Sequence, residues 1–347
     1  MSEDIVVPLV RRPQAIDVLT VGELEALGDP QQWAGEGFLG PGFRVMLAGA
    51  PKLGKSHLAV QLLMACAAGG EFLGMRFHTP RRVLYVNAEI KAEYIKDRIL
   101  RAMSRFSERE QRHIRANFLL TGRSDINLET MHRTLREVCR EHKPYVICID
   151  PLSQFFTGGD SNSSDSEADR FKQFIDPICS RDYVEDHEMS VVVVHHTAKN
   201  NSRNRNDFDT IRGTGFYRSW FDTGMLLAPG KVRGLVQLNY ELRNGVDPEP
   251  VTLELNHESL SFDAIIIDED MSPTMLNVVQ MMSPDWHSTA EMKALMSQTT
   301  TWRSEFGASD VESAWRKSAR KYLSGDSLSD YGLRKRGEKN GTEYRIL

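Results

Sequence analysis

Cysteine is scarce in this chain: 4 in 347 residues, namely Cys66, Cys139, Cys148 and Cys179. None forms a CxxC pair, and no histidine cluster stands at metal-ligand spacing. This excludes a disulfide-stapled scaffold or a zinc finger and points to reduced, partly buried thiols. Long hydrophobic runs are also lacking. No stretch approaches the ~18 apolar residues needed to cross a bilayer. The start, MSEDIVVPLVRR, has no apolar signal-peptide stretch behind a basic segment. A cytoplasmic protein with no membrane partner is therefore expected. A large charge of one sign is missing too. The net charge of −5 excludes a uniformly basic, nucleic-acid-coated protein but allows local basic patches. The 40% hydrophobic and 26% charged residues fit a globular chain, and the length suits one large core plus a smaller attachment.

What is present is an alternation of short apolar runs with amphipathic stretches. Residues 1–36 carry Pro, Gly and Asp-Pro breaks around one short helical stretch, Val21 to Leu27, and read as a lead-in. From Phe43 onward, FRVMLAGA, RRVLYVNAE, PYVICID and SVVVVHH read as buried strands. HLAVQLLMACAAG, residues 91–116, LETMHRTLREVCREH and RFKQFIDPICSRDYVEDH read as the helices between them. ANFLL reads as a further short strand. Apolar runs without alternation, separated by helices, predict a parallel sheet covered on both faces, hence an α/β class. MLLAPG, GLVQLNYELRNG and VTLELN read as further strands at one edge, and GGDSNSSDSEAD as an acidic loop. Composition shifts at IIIDEDMSP, so the expected division is 1–36, 37–268 and 269–347. In the tail, three helical stretches precede LRKRGEKNGTEYRIL, whose Asn340-Gly341 signals a hairpin turn. That is the layout of a small winged helix-turn-helix.

Residues 49–56, GAPKLGKS, match GxxxxGK[ST] between an apolar strand and a helix. Backbone N–H groups of such a turn converge on phosphates, aided by the helix N-terminus. Gly49, Ala50, Pro51, Lys52, Leu53, Gly54, Lys55, Ser56 and His57 are therefore the expected nucleotide-binding residues. Lys55 would hold the β- and γ-phosphates of ATP, and Ser56 would ligate Mg²⁺. YVICID ends in Asp150 at the tip of a core strand, where a carboxylate can serve the same Mg²⁺. Pro151, not a second acid, follows it, so the general base must come from elsewhere. Glu89, just past the second strand in LYVNAE, is the candidate to activate the attacking water.

In this order the residues resemble the RecA-like P-loop ATPases. Within that group the lead-in GFLGPGFRVMLAGAPKLGKS, then YVNAE, ICIDPLSQF, VVVVHHTAK and RGTGFYRSWFDT resemble the plasmid and phage RepA-type hexameric replicative helicases. The resemblance covers about residues 30–255. It implies a RecA-like core with a mainly parallel central sheet, ATP and Mg²⁺ as ligands, and a homo-oligomer, a hexamer in the family. It implies a γ-phosphate sensor at His196. YELRNG resembles the stretch that carries an arginine finger in DnaB-type helicases, which makes Arg243 catalytic in trans. Glu241 stands where that family has Lys, so Arg233 is a second candidate.

Two regions suit nucleic acid. KNNSRNRNDFDTIRG offers Lys199, Arg203, Arg205 and Arg212 among Asn and Ser, a composition suited to phosphate contacts with single-stranded DNA. In the tail, Arg316 and Arg320 lie four residues apart on one side of the third helix, ahead of a basic wing, an arrangement suited to duplex DNA. Yet residues 274–347 hold 11 Lys/Arg against 9 Asp/Glu, which suits docking of a replication partner equally well. Two functions follow: an ATP-driven ring-forming helicase or translocase, or an ATPase switch that assembles on DNA and recruits a partner without processive unwinding.

Overall fold

The computed structural model of the chain describes residues 20–121, 128–155, 164–197, 208–211, 215–265, 272–299, 301–323, 331, 333–336 and 342–346. The chain divides into two units, Met1–Gln31 and Gln32–Leu347. The first contributes α1 (Val21–Glu25), started by a capping box in which Thr20 and Glu23 satisfy each other's backbone N–H groups.

The second unit opens with Trp33, Ala34, Phe38 and Leu39, all buried in its core. Then follow β1 (Arg44–Gly49), α2 (Lys55–Ala68), the hairpin of β2 (Glu71–Phe72) and β3 (Met75–Arg76), and β4 (Val83–Asn87). Next come α3 (Ala92–Met103), α4 (Glu108–Asn117), β5 (Phe118–Thr121), α5 (Leu128–His142) and β6 (Val146–Asp150). They are followed by α6 (Ser164–Cys179), β7 (Ser190–His196), α7 (Gly215–Trp220), β8 (Thr223–Pro229), β9 (Leu235–Leu242), β10 (Val251–Asn256) and β11 (Ser261–Ile265). All of these strands except β2 and β3 form one nine-stranded sheet in the order β11-β10-β9-β8-β1-β7-β6-β4-β5. From β5 to β8 every neighbouring pair is parallel. β9, β10 and β11 add on antiparallel. The α/β class and the mainly parallel sheet expected of a RecA-like core are both present.

Side chains alternate between the two faces of each strand. Val45, Leu47, Val83, Tyr85, Val146, Cys148, Val192 and Val194 join one core cluster with α2. Met46, Leu84, Val86, Ile147, Ile149, Val191 and Val193 join the other, with Leu135 and Cys139 of α5 and Phe171, Phe174 and Ile178 of α6. Both faces being covered explains why these strands read as unbroken apolar runs.

Four helical expectations change. The expected acidic loop GGDSNSSDSEAD is helical from Ser164, where α6 begins, and the described residues of the tail hold four helices where three were expected. Residues 91–116 split into α3 and α4, because Ser107 and Glu110 form a capping box that starts a new helix. The helix through α6 stops at Cys179. Ser180 there caps a separate 3₁₀ turn, Arg181–Tyr183.

The remaining elements are α8 (Pro273–Gln280), β12 (His287–Ser288), α9 (Thr289–Gln298), α10 (Trp302–Phe306), α11 (Val311–Tyr322), β13 (Leu333–Arg336) and β14 (Glu343–Ile346). β12, β14 and β13 form a three-stranded antiparallel sheet. Met275, Val278, Met292, Trp302, Trp315, Tyr322 and Tyr344 make its separate core. The expected turn at Asn340-Gly341 lies outside the described residues. Among the described residues no helix is long and apolar enough to cross a membrane.

Candidate nucleotide site

The glycine-rich turn sits where β1 hands over to α2. Gly54 caps α2 at φ 88°, a left-handed conformation that favours glycine. A Cβ there would also stand 2.6 Å from Cζ of Phe262, so the ring of β11 lies directly on the turn. Gln61 of α2 fixes that strand by donating to the Phe262 carbonyl at 3.0 Å and accepting from its N–H at 2.9 Å. Lys55 is buried, and its Nζ donates to the carbonyls of Gly49 and Ala50, both at 2.9 Å. Burial pushes its ammonium down to about 8, opposed by the negative charges of Asp150 and Glu89. His57, one turn into the helix, is held down to about 4 by burial, with Arg98 and Arg101 adding to the effect.

Strand parity decides which neighbours face Lys55. β1 pairs with β7 so that Gly49 lies beside His196. His196 shares the face of Val192 and Val194, the α2 face, and its Nδ1 is 3.3 Å from Lys55 Nζ. His195 points the other way and packs on Tyr217, ring centroids 5.0 Å apart. The same alternation puts Asp150 on the face of Cys148 and Tyr85. Tyr85 OH donates to Asp150 Oδ2 at 2.5 Å, and Ser56 also hydrogen-bonds that carboxylate. Burial raises the Asp150 carboxyl, the two hydroxyl donors hold it down, the charge of Glu89 raises it and that of Lys55 lowers it.

Glu89 occupies the bend after β4. Asn87 shapes that bend: its side chain accepts from Ile90 N–H at 3.1 Å and donates to the Ile90 carbonyl. Glu89 stays exposed, with Gln154 donating to its Oε1 at 3.3 Å. Pro51 to His57, Glu89, Asp150 and His196 all line one cleft of about 1200 Å³. Its remaining walls include Arg98, the β8–β9 turn from Pro229 to Leu235, His257, Phe262 and Gln280.

Other sequence-derived candidates lie elsewhere. Arg243 directly follows β9, and its guanidinium bonds Asp222 Oδ1 at 3.2 Å and the Ser219 carbonyl. It does not line the cleft of its own chain, whereas Arg233 does. Arg316 is exposed on α11 beside Glu312, 3.5 Å away. Arg320 lies on the same helix, and Lys199, Arg203, Arg205 and Arg212 fall outside the described residues. The sequence reading missed Tyr85, Asn87, Gln154 and Phe262. Parity along β4 carried a signal for Tyr85, two residues ahead of Asn87 on the same face. Nothing local marked Phe262, which follows α2 by some 200 residues. Among the described residues no group of three or more His, Cys, Asp or Glu is placed to hold a metal. The fit to Mg²⁺ rests instead on the contact between the Ser56 hydroxyl and the Asp150 carboxylate, two hard oxygen donors beside the phosphate turn.

A parallel sheet, a glycine turn feeding a helix, a buried lysine and a strand-end carboxylate in one cleft define a P-loop nucleotide-binding protein. The AAA domain family model matches residues 10–202, and the chain belongs to that family. The matched span contains the phosphate turn, Glu89, Asp150 and His196, and it ends before Arg233 and Arg243. No curated protein matches the sequence. Among solved structures, the chain is similar to "ATPase Domain of G40P", with 13% identity, a TM-score of 0.48, and 65% of this chain and 85% of that one covered. It is also similar to "The Structure Of A DnaB-Like Replicative Helicase And Its Interactions With Primase", with 16% identity, a TM-score of 0.49, and 70% of this chain and 66% of that one covered.

Proposed function

We propose that this protein is an ATP-hydrolysing, ring-forming DNA helicase or translocase of the RepA type, acting in replication of a plasmid, phage or mobile element. The observation that carries the reading is the convergence of Lys55, Ser56, Asp150, Glu89 and His196, from four separate chain segments, on one cleft. In it, backbone N–H groups of residues 52–56 and the N-terminus of α2 receive the phosphates. Lys55 leaves the Gly49 and Ala50 carbonyls for the β- and γ-phosphates. Ser56 and Asp150 would hold Mg²⁺, which neutralises phosphate charge when bound. Glu89, steadied by Gln154, takes the proton of the attacking water, and His196 senses the γ-phosphate. Arg243 acts as the finger in a neighbouring copy's site, which requires a homo-oligomer, a hexamer in the RepA-type reading.

The proposed division is a lead-in (1–36), the ATPase core (37–268) and a winged-helix-like domain (269–347) in a cytoplasmic protein. The run α8, β12, α9, α10, α11, β13, β14 with sheet order β12-β14-β13 supports a winged helix that carries one extra short helix. Lys199, Arg203, Arg205 and Arg212 would contact single-stranded DNA, and Arg316 and Arg320 duplex DNA or a replication partner.

A second reading, a DNA-assembled ATPase switch without processive unwinding, draws on the balanced charge of the tail. Measuring ATP turnover with and without single-stranded DNA, alongside unwinding of a forked duplex, separates the two. DNA-stimulated turnover with strand displacement supports the helicase; stimulation without displacement supports the switch. Lys55→Ala should abolish turnover, and Glu89→Gln should keep ATP binding while stopping hydrolysis. Near-normal turnover in either variant overturns the site.

A further inference from the structure

The β8–β9 turn, residues 230–234, is a wall of the nucleotide cleft. Its conformation is tightly drawn. Gly234 has φ 85°, and a Cβ on Gly230 would stand 2.9 Å from the Leu235 carbonyl. Val232 is buried, which turns the exposed side chain of Arg233 outward into the cleft lining. Among the described residues no ion pair engages the Arg233 guanidinium.

The turn is gripped from outside the sheet by α8. Asn277 is buried, 6% exposed. Its side-chain N–H donates to the Lys231 carbonyl at 3.0 Å, and its side-chain oxygen accepts from the backbone N–H of Arg233. One amide therefore holds the backbone on both sides of Val232, as a paired strand would. One helical turn further on, Gln280 of the same helix lines the cleft.

We propose that Arg233 binds the phosphates of the nucleotide in its own chain, and that Asn277 is the positioning residue that holds it there. This rests on the reading of the cleft as an ATP site. The ligand class follows from charge: a guanidinium with no ion pair among the described residues shares the cleft with the phosphate turn, and planar guanidinium forks match phosphate oxygens. Arg233 thus acts in cis, distinct from a finger donated by a neighbour. The C-terminal region becomes part of the nucleotide site, so a load on α8 shifts Arg233 and with it nucleotide affinity.

The test uses the full chain and equilibrium binding of a fluorescent ATP analogue and of ADP. Arg233→Ala, an exposed change, should weaken both about tenfold, as loss of a charge-assisted contact does. Asn277→Ala should weaken them several-fold, with a larger effect on KM than on kcat. In the Arg233→Ala background, Asn277→Ala should have no further effect, because its influence passes through that side chain. Unchanged affinity in Arg233→Ala overturns the proposal, and so does full additivity of the two substitutions. If Asn277→Ala does not fold, Asn277→Asp keeps the acceptor for Arg233 N–H, loses the donor to Lys231, and is held to the same criterion. Failure of the unaltered protein to bind either nucleotide would instead remove the ATP-site reading itself.

Discussion

Lys55 Nζ lies 3.3 Å from Nδ1 of His196, two residues 141 positions apart that β1–β7 pairing brings side by side. Lys55 can donate to that nitrogen only while the nitrogen carries no proton. Phosphate arrival would draw the lysine's donors away and leave the imidazole beside the terminal phosphate. His196→Ala should therefore lower kcat at least tenfold while ATP affinity stays within about threefold, a split expected when an interaction matters mainly in the transition state. Turnover and nucleotide binding on the same preparation decide it. A parallel loss of both would reduce His196 to a prop for Lys55.

The lowered ammonium of Lys55 predicts how binding responds to pH. Burial brings this group down to about 8. Phosphates favour the charged form, so the bound state has the higher value. Below pH 8 the ammonium is already charged and affinity should be flat. Above it, binding must take up a proton, and affinity should fall by up to about tenfold per pH unit. For folding the sign is opposite. A depressed lysine costs stability while charged, and that cost fades between about 8 and the ordinary value of 10.5. Titration calorimetry in buffers of different ionisation enthalpy checks proton uptake, and its absence at pH 9 refutes the assignment.

How much of this was legible depended on whether the physics was local. GAPKLGKS announces its own turn and helix, and the runs RVMLAG, VLYVN, VICID and SVVVVHH are apolar because helices cover both faces. Parity along β7 separates His196 from His195 without a structure. Ser107 and Glu110 show a readable capping pattern that divides residues 91–116, yet helical periodicity on both sides hid it. β11 was not legible: SFDAI gains its role from Gln61, with which it pairs across 201 positions. β12 has two residues and exists through its pairing with β14. The engagement of Arg243 by Asp222 depends equally on chain closure, since Asp222 becomes its neighbour through the pairing of β8 with β9.

Tyr85 offers a sharper test of the proposed Mg²⁺ site. Its buried hydroxyl donates to Asp150 Oδ2, and Ser56 also hydrogen-bonds that carboxylate. Tyr85→Phe keeps the ring packing and removes only that donor. The carboxylate then loses a fixed orientation, with an expected cost of about 1–3 kcal/mol in a buried network. Turnover should require several-fold more Mg²⁺ for half-maximal rate, with near-normal kcat at saturating metal. An unchanged Mg²⁺ dependence together with lowered thermal stability would make Tyr85 purely structural.

One experiment separates the proposed finger role of Arg243 from its bond with Asp222. Asp222 accepts from Arg44 N–H at 3.0 Å and Nε at 3.1 Å as well as from Arg243. Removing Arg243 therefore leaves that carboxylate paired, and Arg243→Ala should lower stability by about 1 kcal/mol or less, as for a partly exposed ion pair. A finger acting on a neighbour predicts far more for catalysis, a loss of about 10³-fold in turnover. It also predicts complementation. Mixed with Glu89→Gln subunits, Arg243→Ala subunits should regain activity, because a site built from an intact Glu89 and a neighbour's intact Arg243 is complete. Mixing that yields only the sum of two inactive proteins would confine Arg243 to its bond with Asp222.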